Sequence, residues 1–94
     1  MTRQASRTDA NQNRIVGSLR MAGADVLHLH TVGKGCPDIL VGANIDGERR
    51  NILMEIKTDK GYLTDNQVEW LATWRGQVAV VRSVEDALKL IGRA

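Results

Sequence analysis

Residues 37–57 read PDILVGANIDGERRNILMEIK and determine the fold. Two apolar, strand-forming runs flank the dipeptide Asp46-Gly47, which is a strong signal for a type I′ hairpin turn because both central positions of that turn need a positive φ. This turn fixes an antiparallel register in which Asp38 lies opposite Glu55. Lys57, two residues further along, emerges on the same face as both acids. Strands are therefore predicted over residues 38–44 and 51–57.

Helix and strand signals on both sides of the hairpin predict the remaining elements. Apolar positions Ile15, Val16, Leu19 and Ala22 have helical spacing after a cap at Thr8 or Asp9, and Gly23 ends that helix. The other predicted elements are a strand over residues 25–30, a helix over 65–75 with a capping box from Thr64 to Gln67, a strand over 77–82, and a helix over 84–91 capped by Ser83 with Asp86. The order α-β-β-β-α-β-α predicts an α/β fold with a mixed sheet flanked by helices.

The composition is that of one small globular domain. The chain has 94 residues, of which 43% are hydrophobic and 26% charged. These values argue against disorder and fibrous repetition, and no apolar run approaches the roughly 20 residues that cross a bilayer. Residues 1–7 are polar and are expected to be mobile. Cys36 is the only cysteine, so no internal disulfide forms, and a reducing, cytoplasmic location is expected, including the host cytoplasm if a phage encodes the chain.

Basic residues are concentrated at the amino end rather than spread evenly. The formal charge is only +2, but Arg3, Arg7, Arg14 and Arg20 fall within the first twenty residues, where Asp9 is the only acid. This segment has the charge to contact nucleic-acid phosphates. On charge alone, a solvated tail explains it equally well.

The predicted cluster of Asp38, Glu55 and Lys57 has the chemistry of a divalent metal site. Two opposed carboxylates destabilise a strand pair unless something neutralises them. Mg²⁺ is commonly held by one or two carboxylates plus waters, and the backbone carbonyl of Ile56 offers a third oxygen. A lysine beside such an ion orients water for phosphodiester hydrolysis. The alternative is a surface salt bridge with no further role, which spacing alone would favour.

The motifs around this cluster resemble a known nuclease family. Pro37-Asp38 followed by Glu55-x-Lys57 resembles the PD-(D/E)xK signature, and the segments GKGCPDILVG (33–42) and MEIKTDKGYLTDNQ (54–67) resemble its VRR-NUC branch over about residues 9–90. The resemblance implies a restriction endonuclease-like core. It also implies Asp38 and Glu55 as metal ligands, Lys57 as the catalytic lysine and Gln67 as a further site residue.

The sequence departs from this family pattern in two places. Relatives often carry an additional acid on the first helix, and the candidate here is Asp9. The Val-Arg-Arg string that gives the family its name is reduced to Val81-Arg82-Ser83, so its third position is lost. Arg82 is a candidate DNA contact, although a solvent-exposed arginine at a strand end is an equal alternative.

Several other residues have both a functional and a structural interpretation. Residues 33–35 (GKG) lack the full phosphate-binding P-loop pattern, and Lys34 is either a DNA contact or part of a flexible loop. His28 and His30 share a strand face, where structural or DNA-facing roles are favoured over metal binding. Trp70 and Trp74 share a helix face, where packing against the sheet or a partner subunit is favoured over stacking on bases.

The combined prediction is a Mg²⁺- or Mn²⁺-dependent DNA endonuclease. The amino-terminal arginines, Lys34 and Arg82 would contact the DNA backbone, which makes binding salt-sensitive. A core this small is expected to act as a homodimer on branched DNA such as a four-way (Holliday) junction, as the family resemblance also implies. Two alternatives stay open. One is a non-cleaving module of the same fold that binds DNA or a protein, and the other is a structural subunit whose acids form only salt bridges.

Overall fold

The hairpin predicted at Asp46-Gly47 is confirmed. A computed structural model describes residues 7–93, and in it β2 (Ile39–Ile45) and β3 (Glu48–Ile56) form an antiparallel pair. Asp46 has a φ of 53° and Gly47 a φ of 82°, the two positive values that a type I′ turn requires. The turn is tight, and β3 begins three residues earlier than predicted.

The register of this hairpin is also as predicted. Ile45 pairs with Glu48 and Ile39 pairs with Met54. Asp38 is the residue immediately before β2, so the same register places it beside Glu55. Because side chains alternate along a strand, Ile39 and Met54 face one side of the sheet while Asp38 and Glu55 face the other.

The sheet has four strands in the order β1-β2-β3-β4. β1 (Asp25–His28) is antiparallel to β2, whereas β4 (Val78–Val81) is parallel to β3. The sheet is therefore mixed, and the complete element order is the predicted α-β-β-β-α-β-α. β1 and β4 are two residues shorter than predicted, since residues 29–30, 77 and 82 lie outside the ladder.

The hydrophobic core lies between one face of the sheet and two helices, α1 (Arg7–Met21) and α3 (Val84–Leu90). α1 ends as predicted at Gly23, whose φ of 94° suits a helix-terminating glycine. The α3 cap is also confirmed, because the Asp86 amide donates to Ser83 Oγ at 3.1 Å. The fully buried core side chains include Ile15, Leu19, Ile39, Met54, Ile56, Val81 and Ile91.

The remaining helix, α2 (Asp65–Thr73), lies on the opposite face of the sheet, which we call the open face. Its predicted capping box is present in full. The Gln67 amide donates to Thr64 Oγ1 at 3.2 Å, and the Thr64 amide donates to Gln67 Oε1 at 2.9 Å. The helix ends two residues earlier than predicted and none of its residues is buried. α2 therefore leaves part of the open face accessible.

Some of the sequence predictions fall on residues outside the described range. Residues 1–6, which include Arg3, and residue 94 are outside it, as are the side chains of residues 7–9 and hence those of Arg7 and Asp9. Within residues 7–93, no helix is both long enough and apolar enough to span a membrane.

Candidate active site

The end of the hairpin away from the turn brings Asp38 and Glu55 together on the open face. The backbone amide of Ile56 donates to Asp38 Oδ2 at 2.7 Å, which ties Asp38 to the end of β3. The backbone carbonyl of Asp38 in turn accepts from the Leu29 amide at 2.8 Å, so the residue is held from β1 as well. Asp38 is thus held through its carboxyl group by the Ile56 amide and through its backbone carbonyl by the Leu29 amide.

Glu55 is the only buried charged residue in the described part of the chain, with 2% of its surface exposed. Its Oε2 atom accepts a hydrogen bond from Gln67 Nε2 at 3.0 Å and lies 3.8 Å from Lys57 Nζ. Its Oε1 atom is buried and has no hydrogen-bond partner among the described residues. An unpartnered carboxyl oxygen in such a place is costly, on the order of 1–3 kcal/mol, and marks a position where a ligand would supply the missing interaction.

The surroundings of Glu55 keep its proton bound well above the usual pH range of a carboxyl group. Burial raises the pKa of Glu55 to about 8, and the negative charge of Asp38 adds to the effect. The neighbouring Lys57 ammonium acts in the opposite direction but does not outweigh them. A carboxyl group whose pKa is raised by burial and by a neighbouring carboxylate is a common feature of catalytic and metal-binding sites.

The capping box of α2 determines which end of the Gln67 side chain meets Glu55. Gln67 Oε1 accepts from the Thr64 amide, so the amide nitrogen is the end directed at Glu55 Oε2. A local helix-capping motif therefore also orients a residue of the site. The sequence predicts separately that Gln67 belongs to a capping box and that it lies near the carboxyl pair. In the structure, one orientation of the Gln67 side chain makes both sets of hydrogen bonds.

Lys57 follows β3 directly, and two different elements hold its backbone. Its amide donates to the Val81 carbonyl at 3.0 Å, and its carbonyl accepts from Asn11 Nδ2 of α1 at 2.9 Å. The same side-chain nitrogen, Asn11 Nδ2, also donates to the backbone carbonyl of Arg82 at 3.3 Å. Sequence reasoning missed Asn11. The available signal was its position one helical turn before Ile15, which extends the core-facing stripe of α1 with a polar side chain.

Arg82 stabilises the loop that follows Lys57. Its Nη1 donates to the carbonyls of Thr58 at 2.7 Å and Gly61 at 2.8 Å. The side chain is half-buried and is not the free, solvent-exposed arginine that one of the two sequence interpretations described. Together, Asn11 and Arg82 fix residues 57–61 from α1 and β4.

The GKG segment is an ordered turn packed against α2. Gly33, Lys34 and Gly35 all have positive φ, with values of 72°, 58° and 82°. A side-chain carbon added to Gly35 would lie 2.5 Å from the carbonyl oxygen of Asn66, in the first turn of α2. Gly35 therefore permits the close approach that sets the start of α2, and with it Gln67. Lys34 is exposed beside Asn66, Glu69 and Trp70.

The remaining candidate residues lie apart from the carboxyl pair or have ordinary contacts. His28 Nδ1 lies 3.3 Å from Gln12 Nε2, and the His28 and His30 rings are 6.3 Å apart. Burial, together with the negative charges of Glu55 and Asp38, raises the pKa of the Cys36 thiol, which disfavours a nucleophilic thiolate. Among the described side chains, those of residues 10–93, no group of three or more His, Cys, Asp or Glu is positioned to hold a metal ion.

The two tryptophans lie outside the buried core cluster, on the open face of the sheet. Trp70 and Trp74 stack on each other with ring centroids 4.6 Å apart and planes inclined by 20°. Trp74 is 48% exposed, and both rings border an apolar groove with Leu29, Leu40 and Leu53 on the open face. The core has no room for them because α1 and α3 already cover the other face of the sheet.

Comparisons of this chain with protein-family models, with curated proteins and with solved structures gave no match.

Proposed function

We propose that this chain is a Mg²⁺- or Mn²⁺-dependent DNA endonuclease that hydrolyses phosphodiester bonds. The observation that carries the proposal is the pairing of Asp38 with buried Glu55, whose Oε1 lacks a partner among the described residues while Lys57 lies beside Oε2. A fold maintained only for packing gains nothing from this pair, because burying carboxyl groups without full compensation is destabilising. A divalent cation at the pair would supply the missing interaction.

The residues present fit a small oxygen-binding ion. Asp38, Glu55 and the carbonyl of Ile56 would hold it, which agrees with the preference of Mg²⁺ for one or two carboxylates with the rest of its shell from water and phosphate. When bound, such an ion lowers the pKa of water and neutralises charge on the phosphate.

The other site residues would act through position and charge. Lys57 is positioned to orient a water molecule and to offset negative charge on the phosphate, since its side chain is 15% exposed and reaches the carboxyl pair from the same face. Gln67 holds the Glu55 carboxyl group in one orientation through its 3.0 Å hydrogen bond. It is therefore a positioning residue for Glu55.

The substrate, assembly and location are proposed on more general grounds. A domain of this size covers few base pairs, and a symmetric homodimer would present two sites to two strands of branched DNA such as a four-way junction. Basic side chains would contact the phosphate backbone. They are those of Arg14, Lys34 and Arg82, with Arg3 and Arg7, whose side chains lie outside the described range. We propose a cytoplasmic location because the chain has one cysteine and no helix among residues 7–93 that could span a membrane.

The decisive test is cleavage by purified protein of junction, flap and linear duplex DNA with Mg²⁺, Mn²⁺ or EDTA. Lys57→Ala should lower kcat about 10²- to 10⁴-fold, the range typical for loss of a positioned proton-transfer or charge-stabilising group. Lys89→Ala, an exposed lysine on α3, is the matched control and should cleave like the wild type. Metal-independent binding without cleavage would instead support the non-cleaving module. Equal nicking by wild type and Lys57→Ala would contradict the catalytic assignment.

A further inference from the structure

A basic pocket lies beside the candidate active site, between α1 and the loop that follows β3. Its volume is about 280 Å³, and its lining includes the cations Arg14, Lys60 and Arg82. Among the described side chains that line the pocket, Asp59 is the single acid, and it forms no ion pair with any of the three cations. The pocket is therefore cationic and open to an anionic ligand.

One wall of this pocket is preorganised. Both side-chain hydrogen bonds of Arg82 come from Nη1, which holds the guanidinium against the carbonyls of Thr58 and Gly61. An arginine has five N–H donors, so those on Nε and Nη2 are not needed for these two bonds. A guanidinium fixed in this way loses little conformational entropy when it binds an anion, and its planar donors match a phosphate group.

Two residues that line the pocket are connected to Lys57, one by a peptide bond and one by a hydrogen bond. Thr58, which lines it, is the residue after Lys57. Asn11, which also lines it, donates to the Lys57 carbonyl at 2.9 Å. A group bound in the pocket is thus held close to the backbone that carries Lys57.

We propose that this pocket binds one non-scissile phosphodiester phosphate of the DNA strand, next to the phosphate that is cut. The inference rests on the proposed nuclease function, which it deepens by assigning Arg14, Lys60 and Arg82 to a single phosphate subsite. Lys60 is new to the set of DNA-contacting residues. Arg82 has two roles, as the anchor of the loop and as one wall of the subsite.

Binding of DNA in EDTA tests this proposal without any cleavage. Fluorescence anisotropy would compare wild type with the double variant Arg14→Gln/Lys60→Gln, which alters two exposed side chains and leaves the Arg82 anchor intact. The control is Arg49→Gln/Lys89→Gln, which removes the same charge from exposed sites at the hairpin end of β3 and on α3. We expect about tenfold weaker binding for the pocket variant only. The slope of its log affinity against log salt concentration should be shallower by about 0.9, the value for one phosphate.

A DNA strand with single methylphosphonate substitutions identifies the phosphate. One position should weaken wild-type binding about tenfold and weaken binding by the pocket variant much less, because two of the three cations that contact the removed charge are already absent from the variant. Equally weakened binding by the pocket and control variants, or no position at which the pocket variant is less sensitive than the wild type, would overturn the subsite. Cleavage with Mg²⁺, assayed separately, distinguishes failure of the subsite from failure of the nuclease proposal.

Discussion

The amide of Ile56 donates a 2.7 Å hydrogen bond to Asp38 Oδ2, and this bond fixes the relation between the start of β2 and the end of β3. It holds the Asp38 carboxyl group on the same face as Glu55, which lies one residue before Ile56. The burial of Glu55 and the proximity of Asp38 together raise the pKa of Glu55 to about 8. The properties expected of the site follow from this pair.

Metal binding should release a proton at neutral pH. Glu55 is protonated below a pH of about 8 in the metal-free protein, and a cation binds the ionised form. We expect the affinity for Mn²⁺ to rise between about pH 6 and pH 8, with close to one proton released per ion at pH 7. Calorimetry in buffers of different ionisation enthalpy measures this number directly. Binding with no proton release and no pH dependence would contradict the assigned state of Glu55.

The stability of the metal-free protein should fall as pH rises. Below pH 4.5, Glu55 is protonated in both the folded and the unfolded chain, and its contribution to stability is complete. Between pH 4.5 and about 8, the unfolded chain ionises while the folded chain keeps the proton, so on the order of 5 kcal/mol of stability disappears. Glu55→Gln should remove this dependence and be the more stable protein at pH 8. Urea unfolding of both proteins across this range would show parallel profiles if the pKa were not raised.

The close contact between Gly35 and α2 predicts a difference between two glycine substitutions. Gly33→Ala and Gly35→Ala both place alanine at a positive φ, which costs about 1–2 kcal/mol. Only Gly35→Ala also brings a side-chain carbon against the Asn66 carbonyl, whereas Gly33 has nothing within 4 Å of that position. Gly35→Ala should be more destabilising by about 1–3 kcal/mol and should displace Gln67. Equal free energies of unfolding would show that the contact is unimportant.

Asn11 should affect the site through the Lys57 backbone. Asn11→Leu removes the donor to the Lys57 and Arg82 carbonyls, so we expect stability to fall by about 1–3 kcal/mol and kcat to fall as well. Metal binding should be nearly unchanged, because Asp38 and Glu55 are held by other bonds. Asn13→Leu, two residues away and exposed, is the control. A fall in metal affinity equal to the fall in kcat would indicate general disruption instead of a role in positioning Lys57.

The parts of the structure that sequence reasoning predicts are those determined locally. The Asp46-Gly47 turn fixes the register of the hairpin, and that register is enough to bring Asp38 and Glu55 together. The capping box at Thr64 depends on residues only three apart. Alternating apolar positions likewise identify the core face of β2 and β3.

The parts that it misses depend on contacts between distant segments. The bond from Asn11 to Lys57 joins residues 46 positions apart, and no local pattern specifies it. The packing of Gly35 against Asn66 in α2 also joins residues that are distant in the sequence, and no local pattern predicts it. Trp74 is exposed because α1 and α3 pack on the other face of the sheet. The hydrophobicity of a side chain does not predict which face of the sheet the helices cover.

Titration with Mn²⁺, followed by the decrease of the free-ion electron paramagnetic resonance signal, tests the central claim most directly. Wild type should bind one ion per chain, and Asp38→Asn should bind at least tenfold more weakly. Asp46→Asn should bind like wild type, because asparagine suits the positive φ of that turn position and Asp46 lies at the far end of the hairpin. Equal binding by all three proteins, or no binding by the wild type, would contradict a metal site at Asp38 and Glu55.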